Sequence, residues 1–163
     1  MSYAIFRCQS INTLEDLSHI GSHNKREKES YKSNPDIRKA DSINNIELVK
    51  CNSKYREKFY EITKEYRKEH EDKMKTIRQD RYKTFDQMVD DSKSCVADEM
   101  IFTSVPEFFK NMTKEEILKW ANGCMDFVYN DLGYTKEQVL HSVLHLDERT
   151  PHIHCVVVPL VKK

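Results

Sequence analysis

The stretch His145-Leu-Asp-Glu-Arg-Thr-Pro-His-Ile-His154 runs straight into Cys155-Val-Val-Val158, and the fold turns on how it is read. Its second half is strongly β-prone, because β-branched side chains pack well on a pleated surface. Successive side chains of a strand alternate between faces, so His152 and His154 point the same way, roughly 6.7 Å apart along the backbone. Upstream, Val139–Leu146 alternates in the same manner: His141, Val143 and His145 share one face, Ser142, Leu144 and Leu146 the other. The short connection Asp147–Pro151 suits an antiparallel pair. Pairing then sets His145 at the strand end opposite His152 and His154, and leaves His141 about 13 Å down its strand, too far to join. Three imidazoles with a carboxylate nearby suit a divalent transition metal, and three protein ligands leave positions open for water or substrate. His145, His152 and His154 are the expected metal ligands. Of the adjoining acids, Glu148 is expected to turn back toward the site as base, ligand or orienting partner. Asp147 reads as a turn residue bonding its own backbone.

Working outward, Tyr3–Cys8 is a short β-prone run, and Asn12 or Thr13 can cap a helix carrying Leu14, Leu17 and Ile20. Gly21-Ser22 reads as the end or bend of that helix, residues 30–42 as loop, and Ile43–Cys51 as a strand. From Ser53 to about Met88 the pattern is helical, with Tyr55, Phe59, Ile62 and Tyr66 as one apolar stripe and a break near Glu69–Lys75. Glu99–Thr103 reads as a strand. Thr113 opens a helix with Glu116 three residues on, and Gly133 is a stop signal. Together these predict an α+β fold: a central antiparallel sheet carrying the His-x-His strand, flanked by helices, which the pattern puts on one face.

The 163 residues suffice for one domain with a real core. Equal numbers of acidic and basic residues (27 each) give no overall advertisement of nucleic-acid binding, although residues 22–39 are locally basic. The five cysteines are scattered and never form Cys-x-x-Cys, which argues against a disulfide framework or a cysteine zinc site. With no signal peptide and no membrane-length apolar run, a cytoplasmic, reduced setting is expected.

The motif hydrophobe-His-Leu-Asp-Glu-x-x-Pro-His-x-His, at Leu144–His154, resembles the metal-binding motif of HUH endonucleases, and in particular of the MobV (Pre/Mob) plasmid mobilization relaxases. The start, Met1–Arg7, looks like that family's first strand; His23-Asn-Lys-Arg-Glu27 matches its His-Asn-x-Arg block. Asn44-Asn-Ile-Glu-Leu48 is similar to its Asn-Tyr-Glu-Leu segment, with Ile46 where an aromatic is usual. The resemblance implies site- and strand-specific nicking of plasmid DNA at the origin of transfer (oriT), with Mn²⁺ or Mg²⁺ and a covalent 5′-phosphate intermediate. By carry-over His23 is the nucleophile and Glu148 its catalytic partner. Asn24, Lys25, Arg26 and Tyr31 are the DNA-binding candidates, with Tyr31 and Tyr3 as fallback nucleophiles. The DNA partner would be the oriT hairpin with its adjoining single strand. Residues 1–163 would form a single relaxase domain, the N-terminal part of a longer mobilization protein whose further region serves dimerisation or a coupling partner. A rolling-circle initiator or transposase of the same superfamily is the alternative; those carry a tyrosine helix downstream of the His-x-His strand, and none follows here. A non-nuclease metal-binding module is the reading outside this class. Zinc proteases carry their His pair at i, i+4 on a helix, whereas here it is i, i+2 on a strand.

Overall fold

A computed structural model describes residues 4–161. Among them five strands form one antiparallel sheet in the order β1-β3-β5-β4-β2, from β1 (Ala4–Ile11), β2 (Ile46–Val49), β3 (Ala97–Ser104), β4 (Val139–His145) and β5 (His152–Val157). The two strands read from the His-rich segment are adjacent and antiparallel, with His145 opposite His152 and Val143 opposite His154. A bulge at Leu140 inserts one residue into β4 and re-phases it against β5. Beyond the bulge, His141, Val143 and His145 keep to a single face.

Helices cover both faces of the sheet, where the sequence pattern predicts one. On one face α1 (Leu14–Asn24), α2 (Tyr55–Ile62) and α4 (Phe85–Asp91) pack Leu14, Leu17, Tyr55, Phe59 and Phe85 over Ala97, Leu140 and Val156. On the other, α6 (Lys114–Asp126) packs Ala121 and Met125 over Met100, Leu144, Ile153, Cys155 and Val157. The reason is β5 itself. Its Val156 serves the first core while Ile153, Cys155 and Val157 serve the second, so a central strand apolar on both faces needs two covers. Each fully buried aliphatic side chain contributes about 1.5–3 kcal/mol.

The long helical stretch after Ser53 divides into α2, α3 (Lys64–Met74) and α4, with the first break at Thr63. Thr63 turns its hydroxyl back to the Phe59 carbonyl at 2.7 Å, a bond that competes with helix continuation. Tyr66, expected on the apolar stripe, is consequently exposed, and its hydroxyl donates to the Val161 carbonyl. The strand expected over Ile43–Cys51 is shorter, because Lys39–Asn44 is a 3₁₀ turn. A four-residue helix α5 (Pro106–Phe109) precedes α6. Thr113 caps α6 by accepting from the Glu116 amide, and Gly133 adopts the left-handed φ of 78° that ends the following turn.

Thr13 is the cap of α1, accepting from the Asp16 amide at 3.1 Å. Gly21 does not end α1. It lies inside it, where a Cβ would stand 2.7 Å from Tyr55 Cγ. The glycine is a packing requirement that lets α1 settle onto the Tyr55 ring and carries the end of α1 to the His-bearing strands.

Candidate metal and nucleophile site

The three imidazoles expected to ligate converge at one end of β4 and β5. Ring centroids are 5.4 Å apart for His145 and His152, 4.8 Å for His145 and His154, and 4.9 Å for His152 and His154. Their ligand nitrogens lie within 4.8 Å of one another. Each ring also has a partner that fixes its orientation. His145 Nε2 donates to the Asn24 carbonyl at 2.9 Å, and His152 Nδ1 to the Thr150 carbonyl at 2.9 Å. His154 Nδ1 stands 3.3 Å from Glu99 Oε2. Metal-ligating histidines are held in this way, one nitrogen on a carbonyl or carboxylate; the second nitrogen of His152, Nε2, lies 3.3 Å from Glu148 Oε1. The residues fit a divalent cation on a specific observation: His145 Nδ1 is buried with no hydrogen-bond partner among the described residues. An orphaned ring nitrogen there costs desolvation that a metal bond offsets. Burial first, then His154 and Arg26, push His145 down to about 2, so its imidazole is the neutral, ligating form at any physiological pH.

Asp147 is not the turn residue expected. It is fully buried and binds Arg26 as a fork, Nε to Oδ2 at 2.7 Å and Nη2 to Oδ1 at 3.1 Å. Ser42 adds a 2.6 Å bond to Oδ2. Burial would raise this carboxyl, yet Arg26 and Ser42 hold it well below the usual carboxylate range. Glu148 does turn back toward the ligands. Its Oε1 accepts from Arg26 Nη2 at 2.7 Å and lies 3.3 Å from His152 Nε2. Burial opposes the ionised form there too, but His152 and Arg26 carry Glu148 down to about 2.

His23 sits half-buried in the last turn of α1, its ring 6.1 Å from that of His154 and 5.7 Å from that of Tyr31. Its backbone is locked by a Schellman cap: the Glu27 amide donates to the Ser22 carbonyl at 2.9 Å and the Arg26 amide to the His23 carbonyl at 3.1 Å. The left-handed position of this cap, usually glycine, is occupied by Arg26 at φ 56°. A helix C-terminus ordinarily favours a charged imidazole. Here burial, then the charges of Arg26 and His154, outweigh it and lower the His23 pKa.

Three of the four DNA-binding candidates point into the protein. Arg26 spends its guanidinium on Asp147, Glu148 and the His23 carbonyl, with only 4% of its side chain exposed. The guanidinium that the sequence reading offers to a phosphate is here engaged by two carboxylates and a carbonyl. Asn24 is buried, donating from Nδ2 to Glu99 Oε2 at 2.9 Å and to the Tyr55 hydroxyl at 3.2 Å. Lys25 reaches the Ser53 carbonyl at 2.5 Å. Tyr31 alone stays at the mouth of the site, half-buried edge-on to His23, its hydroxyl accepting from the Lys28 amide. Tyr3 lies outside the described residues.

Two contributors have no motif to announce them. Glu99, on β3, joins His154 to Asn24; burial would raise it, but His154 and Asn24 hold it low and ionised. Tyr55, on α2, accepts from Asn24 and bonds His141 Nδ1, and His141 Nε2 lies 3.4 Å from Glu47. The single signal for Glu99 is a carboxylate opening a β-prone run, a poor place for an acid unless it is paired. His141 stays apart from the ligand cluster, as its distance along the strand requires.

The fold brings three imidazoles on adjoining strands together beside His23, a donor set that could hold a divalent cation. The chain belongs to the plasmid recombination enzyme family (Mob_Pre), whose family model matches residues 1–163. It is 32% identical over 163 residues to plasmid recombination enzyme type 1 of Staphylococcus aureus, covering 99% of this chain and 36% of that protein. It is 31% identical over 161 residues to a plasmid recombination enzyme of a Bacillus species, covering 98% and 34%. Among solved structures, the MobM relaxase domain (MOBV; Mob_Pre), Mn-bound with plasmid pMV158 oriT DNA, superposes with a TM-score of 0.73 at 25% identity, over 98% of this chain and 72% of that one. The chain thus spans about a third of the length of the curated relatives it matches. Among the described residues no helix is long and apolar enough to cross a membrane.

Proposed function

We propose that this chain is the relaxase domain of a longer, cytoplasmic plasmid mobilization protein, nicking one strand of its plasmid at oriT and later rejoining it. The observation that carries the reading is a half-buried, pKa-lowered imidazole, His23, beside the ring of a metal-ligand histidine on a locked helix end. His145, His152 and His154 would hold a Mn²⁺ or Mg²⁺ ion, which supplies Lewis acidity to the non-bridging oxygens of the scissile phosphate. The lone pair of one His23 ring nitrogen attacks phosphorus, an N–P bond forms, and the bond to the 3′ oxygen breaks. The other ring nitrogen gives up its proton to solvent water, the ionised Glu148 carboxylate favouring the positive charge that builds on the ring, and the departing 3′ oxygen takes a proton from water. The phosphoramidate keeps the energy of the broken bond, so a 3′ hydroxyl can reverse the sequence and reseal the strand. Arg26 ties the His23 carbonyl to the Asp147 and Glu148 carboxylates and so steadies the end of α1 beside the ligands.

The test is nicking of a supercoiled plasmid bearing the protein's own origin, with Mn²⁺ and the full-length protein. The expected product is a strand carrying protein on its 5′ end, stable to SDS and lost in acid, absent for His23→Ala and for His154→Ala. An acid-stable adduct, or undiminished nicking by His23→Ala, refutes the assignment and points to Tyr31.

A further inference from the structure

The face of the sheet that carries the metal ligands does not stop at β5. Arg7 of β1 is opposite Ile101 of β3, and Ile101 is opposite His154 of β5. Directly opposed residues of an antiparallel pair share a face, so Arg7, Ile101 and His154 form one row across three strands. At the spacing of adjacent strands, Arg7 starts about 10 Å from His154. The row is open: Arg7 and its face neighbour Gln9 are exposed, and Ile101 is half-buried. Further along the same face Ile11, Ala97 and Val156 are buried under helices, so the cover ends before this row.

Charge sharpens the picture. Arg26, Arg38, Arg56, Arg67 and Arg78 each pair with a carboxylate. The Arg7 side chain has neither an ion pair nor a hydrogen bond among the described residues; Arg81 and Arg149 also lack an ion pair, but only Arg7 lies on this row. Glu99, two residues from Ile101 on the same face of β3, is engaged by Asn24 and His154. An unpaired guanidinium beyond a half-buried apolar side chain, in line with a metal ligand, matches one nucleotide: a phosphate for the cation and a base for the apolar floor.

Resting on the relaxase reading above, we propose that the open face of β1 is a subsite for the single strand adjoining the scissile phosphate. Arg7 binds its phosphate, Ile101 lies under its base, and Gln9 supplies a polar rim. The occupant is an unpaired strand because a base presents its face to a side chain only when it is out of the duplex.

The experiment compares full-length wild type, Arg7→Gln and Arg7→Lys for binding of a fluorescein-labelled single strand of the origin across a salt series, with Mn²⁺ affinity measured in parallel. Arg7→Gln should weaken binding by about three- to tenfold and flatten the salt dependence by about 0.7 in log–log slope, the share of one single-strand phosphate. Arg7→Lys should recover most of both, and Mn²⁺ affinity should be the same in all three. If wild type nicks its origin and Arg7→Gln binds with unaltered affinity and slope, the subsite is wrong and the relaxase reading stands. If wild type neither binds nor nicks the origin strand, both fail.

Discussion

Arg26 offers the sharpest stability test because four demands meet on one side chain. Its guanidinium is 4% exposed, Asp147 is fully buried, and the two share a fork with bonds of 2.7 and 3.1 Å. Removing one partner of such a pair leaves the other charge buried and costs about 3–5 kcal/mol. Arg26→Ala should therefore lose that much, a large part of the roughly 5–15 kcal/mol available to a domain. The backbone adds a second, separable quantity. At φ 56° any residue with a Cβ is strained, so Arg26→Gly should regain about 1 kcal/mol relative to Arg26→Ala. The pairing itself is read by adding Asp147→Ala: the double variant should be more stable than the sum of the singles predicts, by about 2 kcal/mol or more. Urea unfolding at neutral pH, followed by circular dichroism, measures wild type and the four variants. An Arg26→Ala protein within 1 kcal/mol of wild type, or strict additivity in the double variant, would refute the buried-pair account.

Three further outcomes follow from the same geometry. Glu99→Gln keeps the shape and an acceptor for Asn24 but removes the carboxylate beside His154, and should weaken Mn²⁺ binding about 10- to 100-fold by calorimetric titration; equal affinity would show that Glu99 does not tune that ligand. Gly21→Ala would ordinarily strengthen a helix, yet its Cβ would collide with Tyr55 Cγ at 2.7 Å, so thermal unfolding should show a loss of about 1–3 kcal/mol instead of a gain. In the metal-free protein His145 titrates near 2 when folded and near 6.5 when unfolded. The unfolded chain thus binds the extra proton. Stability from this group is complete above about pH 6.5 and falls as pH drops, by up to about 1.4 kcal/mol per unit. His152, raised by Glu148 against the pull of burial, works in the opposite sense. The slope is accordingly best measured in His152→Gln, where a flat profile from pH 6.5 to 5 would contradict the prediction.

What the chain made legible was local. The alternation of His152 and His154, and the short link back to His145, depend on strand geometry alone, and the paired strands follow from it. What stayed hidden depends on contacts between distant segments. Gly21 looks like a helix terminator until Tyr55, from another helix, is seen to occupy the space of its missing side chain. Asp147 has the composition of a turn, and only the fold brings Arg26 and Ser42 to it. Arg26 and Asn24 read as nucleic-acid contacts because polar residues beside a candidate nucleophile usually face outward; burial turns both inward to serve the ligands. The second helical face followed from β5, whose apolar residues on both sides could have signalled it. Thr63, by contrast, broke a long helix with no proline or glycine to mark the place.

The position of β5 has a consequence for when the site can exist. It is the last of the five described strands along the chain yet the middle strand of the sheet, and β3 and β4 meet only through it. On the ribosome, His23 precedes His154 by 131 residues, about 7 to 26 s of synthesis. Through that interval the sheet can be at most two unjoined ladders, β1 with β3 and, once β4 is made, β2 with β4, and the three-imidazole set stays incomplete until His154 is added. Placing β5 between β3 and β4 closes the core and brings His152 and His154 to His145, beside His23. On the proposed reading, a nascent chain therefore carries His23 without the imidazole cluster beside it until β5 has been made.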